Sequence, residues 1–175
     1  MPPFQRRTAP APRGAGSSEP PDPYARGLAL LSRREWSVRE LRDRLLAYGC
    51  DAARVDTAIE RLVASGTLDD ARVARAYART AARVKHRGRL RILRELATKG
   101  IADDVARAAV DEVLPADEAD AALQRELARR LKPPVDERQV RHVFAALVRR
   151  GFAPGDVGRA LRRMPGAAAD TEDLG

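Results

Sequence analysis

The sequence predicts an all-α protein, an elongated, curved tandem array of three three-helix repeats. Three observations carry this expectation. Alanine, leucine, arginine and glutamate dominate the 175 residues and aromatics make up only 4%, so local propensity favours helix nearly everywhere. Gly49, Gly100 and Gly151 recur at a spacing of 51 residues. Apolar columns keep the same register around them: Leu45, Leu96 and Leu147 before each glycine, then Cys50, Ile101 and Phe152 directly after it. Leu41, Ile92 and Val143 form an earlier column, and Ala58, Ala109 and Ala160 a later one. Apolar columns at a fixed long period signal stacked units, each covering its apolar face with a neighbour.

In the first unit, residues 24–66, a helix from Tyr24 to about Arg34 places Leu28 and Leu31 on one face. Ser37 opens the middle helix with Glu40 three residues later, the spacing of a capping box in which each side chain meets the other residue's backbone N–H. Leu41, Leu45 and Tyr48 follow until Gly49 ends the helix in the left-handed conformation. Asp51 caps the last helix, and Val55, Ala58, Ile59 and Leu62 form its buried stripe before Gly66.

The second unit, residues 67–114, opens at Thr67-Leu68-Asp69-Asp70, with acids placed where the helix dipole favours them. Val73, Tyr77, Ala81 and Val84 give its first helix an apolar face. The middle helix runs from Gly88 to Lys99 and the last from about Asp103 to Leu114. In the third unit, residues 115–165, Ala119, Leu123, Leu127 and Leu131 mark a long helix that Pro133 and Pro134 end. Asp136 and Gln139 resemble a capping box, so the middle helix begins about a turn earlier than in the first unit. Pro154 suits the first position of the last helix, and Pro165 closes it.

The net charge is +8. Residues 1–23, rich in Pro, Ala, Arg, Gly and Ser, are expected to be a disordered tail, and residues 166–175 an acidic one. Setting both aside leaves about +10 on residues 24–165, a surplus that points to an anionic partner, nucleic acid or an acidic protein surface. A basic surface that is merely solvated stays open beside it. Pro2, Pro3, Pro10 and Pro12 interrupt any organelle-targeting helix, and no apolar run has the length of a membrane span. The expected location is a reducing cytoplasm. Cys50, the one cysteine, sits in the column of Ile101 and Phe152, where packing is its expected role.

Residues 71–94 contain no acid but carry Arg72, Arg75, Arg79, Arg83, Lys85, Arg87, Arg89, Arg91 and Arg94. The first four share one helical stripe, and the rest populate the following loop and the start of the next helix. A stripe of one sign lacks the paired acids that ordinarily decorate a solvated helix, so these nine are the candidate binding residues. Secondary candidates lie in the third unit at Arg141, Arg149, Arg150, Arg162 and Arg163, where nearby acids offset part of the charge. Base stacking has little support, because Phe144 and Phe152 occupy core-like positions and Tyr77 an apolar face. Trp36, just before Ser37, suits a staple at the helix entrance. Helix-turn-helix readout fits poorly with the acids near the start of the first unit's last helix.

Catalysis finds no footing. His86, His142 and Cys50 lack metal-ligand spacing, and no glycine-rich phosphate loop is present. Asp69/Asp70 and Asp103/Asp104 are read as helix N-terminal acids. No catalytic, metal or cofactor residue is assigned.

Assembled, these residues resemble the RecX family of bacterial regulatory proteins. Ser37-Val38-Arg39-Glu40-Leu41 with Leu45 and Gly49 is similar to the family's first-unit motif. Leu68-Asp69-Asp70 with Arg72, Ala74 and Tyr77 resembles the signature opening its second unit, with Val73 standing where the family usually has phenylalanine. Gly88 with Arg91-Ile92, Glu95-Leu96 and Lys99-Gly100-Ile101 resembles the motif that follows, and Arg149-Arg150-Gly151-Phe152 the third-unit ending. The resemblance spans about Tyr24 to Met164. It implies an elongated monomer that binds the RecA recombinase, above all its filaments on single-stranded DNA. It would lie along the filament groove, with weak direct DNA binding, and lower ATPase and strand-exchange activity by blocking or destabilising filament growth. The residues alone leave open a general nucleic-acid-binding module acting without RecA, or an adaptor for another acidic protein.

Overall fold

A computed structural model describes residues 22–164. The expected tails lie outside these residues, apart from Asp22 and Pro23, and so does Pro165. Nine helices and no strand occur among the described residues: α1 (Pro23–Leu31), α2 (Val38–Ala47), α3 (Ala52–Ala64), α4 (Asp70–Arg83), α5 (Arg89–Thr98), α6 (Asp103–Val113), α7 (Ala116–Arg130), α8 (Glu137–Arg149) and α9 (Pro154–Arg162). They pack chiefly three by three, α1–α3, α4–α6 and α7–α9. Each trio encloses its own core. Leu41, Leu45, Val55, Ile59 and Leu62 form the first, and Leu123, Leu127, Val143, Leu147, Val157 and Leu161 the third. The second is built on alanine: Ala74, Ala78 and Ala81 of α4 are buried together with Ala106 and Ala109 of α6. Val73 fills its signature position inside this cluster.

The repeated columns have a physical cause. Gly49, Gly100 and Gly151 have φ of 80°, 78° and 92°, a backbone that side chains with a Cβ adopt only under strain. Each glycine N–H returns to the carbonyl three residues back, at 2.9 Å. The next N–H reaches further: Cys50 to Leu45 O at 3.4 Å, Ile101 to Leu96 O at 3.2 Å and Phe152 to Leu147 O at 3.1 Å. This is the left-handed helix ending in which an apolar residue after the turn covers an apolar one before it. All six flanking side chains are buried.

The middle helices are also butted end to end. Lys99 O, at the end of α5, accepts from Ser37 Oγ at the start of α2 at 2.6 Å. Arg150 O and Gly151 O, at the end of α8, accept from Gly88 N and Leu90 N at the start of α5, at 2.9 and 3.0 Å. Carbonyls orphaned at one helix end thus meet donors orphaned at the next. The two joints are made differently. The first is a side-chain joint, with Lys99 Nζ 2.8 Å from Glu40 Oε1, Val38 N donating to Asp70 Oδ1 at 2.9 Å and Arg72 Nε 3.0 Å from Glu35 Oε1. The second is backbone against backbone. A Cβ on Gly88 would lie 2.3 Å from Gly151 C, whereas one on Gly49, at the open end, would meet nothing within 4 Å.

The Ser37–Glu40 capping box is complete, and Trp36 donates through Nε1 to Leu30 O at 3.2 Å, stapling α1 to the entrance of α2. Other expectations are corrected. The first helix stops at Leu31, three residues short of Arg34. Its buried positions are Pro23 and Gly27, while Leu28 is 39% exposed; Gly27 is pressed so near Leu62 that a Cβ there would come within 2.9 Å. Val84 leaves the predicted apolar face and is 71% exposed, because α4 ends at Arg83 and the chain turns away towards His86, whose φ is +50°. Asp136 caps α8 through Gln139 N at 2.6 Å, but the reciprocal bond is missing from the described residues and Gln139 Oε1 is buried without a hydrogen-bond partner.

Candidate binding surface

The absence of acids from residues 71–94 does not leave all nine cations unpaired. Arg72 clasps the first two units, meeting Glu35 and the carbonyls of Gly66 and Thr67 at 3.0 and 2.8 Å. Arg75 lies 4.0 Å from Glu112, and Arg89 pairs with Asp111. Arg87 and Arg91 converge on Glu95, whose Oε1 accepts from Arg91 Nε at 3.0 Å and whose Oε2 accepts from Arg87 and, at 2.8 Å, from Tyr77 Oη. Burial pushes the Glu95 carboxyl up, but the bonds from Arg91, Tyr77 and Arg87 outweigh it and hold it below the ordinary carboxylate range. Burial, and then Glu95, raise the Tyr77 phenol.

What remains is a smaller set. Among the described residues Arg79, Arg83, Lys85 and Arg94 have no carboxylate partner, and all four are exposed. Lys85 Nζ stands 5.8 Å from the centre of the Tyr77 ring, a weak attraction. Arg94 Nε donates to Leu90 O of its own helix, at 3.3 Å. Val84 and Leu90, 71% and 42% exposed, interrupt this basic run with apolar surface.

The secondary candidates divide in the same way. Arg141 pairs with Glu137. Arg150 reaches His86 O at 3.5 Å and lies 3.6 Å from Glu126. Arg149, Arg162 and Arg163 are exposed and have no carboxylate partner among the described residues. Arg149, at the end of α8, comes beside Arg91 and Arg94 of α5, and with Glu95 and Thr98 these residues line a cavity of about 330 Å³. Two basic clusters far apart in sequence therefore share one notch.

Glu126 was not singled out by the sequence. It is 4% exposed and receives Arg129 at 2.9 Å and Arg130 at 3.1 Å, with His86 4.0 Å away. Burial again pushes this carboxyl up and the arginines pull it further down, leaving it below the usual range. Its i+3 and i+4 arginines were visible in the sequence; its burial at the joint with His86 and Arg150 was not. Among the described residues no three His, Cys, Asp or Glu side chains gather as a metal set, and no helix is long and apolar enough to cross a membrane.

The architecture defines a class, proteins of stacked three-helix repeats in which each middle helix abuts the next. Residues 24–62 match the description "RecX, first three-helix domain" and residues 69–110 "RecX, second three-helix domain". "Regulatory protein RecX" of Acidithiobacillus ferrooxidans is 36% identical over 160 residues, 89% of this chain and 97% of the relative. The Halorhodospira halophila protein of the same name is 36% identical over 151 residues, covering 83% and 87%. The crystal structure of RecX from Lactobacillus salivarius superposes with a TM-score of 0.71 at 20% identity, over 80% of this chain and 92% of that one. The chain belongs to the RecX family of regulatory proteins.

Proposed function

We propose that this chain binds the RecA recombinase and its filaments on single-stranded DNA as a cytoplasmic monomer. It lies in the filament groove and lowers ATPase and strand-exchange activity by blocking or destabilising filament growth. It acts by binding, without catalysis or a cofactor. The observation that carries the reading is the unpaired charge of the second unit: Arg79, Arg83, Lys85 and Arg94 face solvent with no carboxylate partner among the described residues. Val84 and Leu90, exposed along the same stretch, favour a protein partner over bare polyphosphate, which offers nothing apolar to cover them.

Changing Arg79, Arg83 and Lys85 together to Glu tests this. The expected result is loss of recombinase inhibition with helicity unchanged. Arg87 is left alone, because its pairing with Glu95 and Tyr77 supports the unit. Inhibition persisting at the same dose shows that the second unit is not the docking surface.

A further inference from the structure

We infer that the notch between the second and third units is a seat for a nucleic-acid phosphodiester. Arg94 and Arg149 reach it from different helices with no carboxylate partner among the described residues, Arg91 borders it, and Thr98 supplies a hydroxyl. Glu95, the one acid among the described residues of its wall, is already saturated by Arg87, Arg91 and Tyr77, so the notch keeps a positive surplus. The carbonyl end of α8 should oppose an anion here. Its carbonyls are occupied instead: Arg149 O by Arg91 Nη1 at 3.3 Å, and Arg150 O and Gly151 O by the backbone of α5. Donors arriving from two helices fit the several oxygens of a tetrahedral phosphate, to which arginine forks bind bidentately. Among the described residues no aromatic side chain lines the notch, so it holds backbone and reads no base.

The inference deepens the reading above by naming the group on the filament that this joint touches. Its test is independent of the recombinase. Binding of a labelled oligodeoxythymidine is followed by anisotropy across salt for the full chain and for the Arg94→Gln/Arg149→Gln double variant. Losing two phosphate contacts lowers the slope of log affinity on log salt by about 1.4. From about 50 to 200 mM salt the parent then loses about sevenfold more affinity than the variant. Arg54→Gln, an exposed arginine of α3, leaves the slope unchanged. An unaltered slope in the double variant, an equal drop with Arg54→Gln, or no measurable binding by the parent at the lowest salt overturns the inference. So does a double variant that keeps its slope but loses binding to DNA-free recombinase, which assigns the notch to a protein carboxylate. If the parent ignores DNA-free recombinase and filaments while the slope falls as expected, the phosphodiester seat stands and the proposed function fails.

Discussion

Three glycine-to-alanine changes separate helix termination from unit joining. Gly49 has φ of 80° and open space around its missing Cβ, so Gly49→Ala brings backbone strain alone, about 1–2 kcal/mol. Gly88 has a relaxed φ of −76°, but its Cβ would lie 2.3 Å from Gly151 C and from Phe152 N. Backbone cannot swing aside as a side-chain tip can. The joint must deform, at about 1–3 kcal/mol for overpacking, or part and lose the Gly88–Arg150 and Leu90–Gly151 bonds, about 1 kcal/mol each. Gly88→Ala therefore costs about 2 kcal/mol by either route. Gly151 combines a φ of 92° with a Cβ position 2.3 Å from Arg91 Cβ, so Gly151→Ala costs about 2–5 kcal/mol. Urea unfolding followed by circular dichroism gives the order, and hydrogen exchange shows whether the third unit loosens first. Gly88→Ala no more harmful than Gly49→Ala would refute the butted-helix account and leave the glycines as helix ends only.

Ser37→Ala removes both the cap on Glu40 N and the donor to Lys99 O; it should cost about 2 kcal/mol in urea unfolding, and no loss would mean the first joint does not depend on it. Glu95 and Glu126 have carboxyls held below their ordinary values. Their contribution is complete above the unfolded-chain value and disappears as pH falls through the lower folded one. The urea midpoint should drop in acid below about pH 4.5, although Asp70, raised by burial, works the other way. Glu126→Gln should lower the midpoint at neutral pH and flatten that acid drop; an unchanged pH profile would show that its arginines contribute nothing. Arg72→Gln should loosen the first joint, seen as faster exchange at Val38 N–H, while leaving oligonucleotide binding as it was.

The fold was legible because its strongest signals are local. Glycine with Leu45 or Leu96 before it and Cys50 or Ile101 after it is a complete helix ending within a few residues. Ser37 and Glu40 likewise declare a helix start. What joins the units was not legible. That Ser37 Oγ would seek Lys99 O, or Gly88 N seek Arg150 O, depends on which helix ends the tertiary arrangement brings together. Ser37 and Gly88 occupy the same repeat position and answer the same need, one with a hydroxyl and the other by letting backbone approach. The charge signal needed trimming for the same reason. An acid-free stretch of sequence gains acids in space from Glu35, Glu95, Asp111 and Glu112. Arg94 and Arg149 became neighbours only through the joint.

Titrating this chain into RecA filaments on single-stranded DNA, with sedimentation and ATPase turnover followed together, tests the central claim most directly. The account predicts that the chain co-sediments in saturable, stoichiometric proportion and that turnover falls along the same curve. Turnover that stays constant while the chain remains in the supernatant at every dose would contradict it.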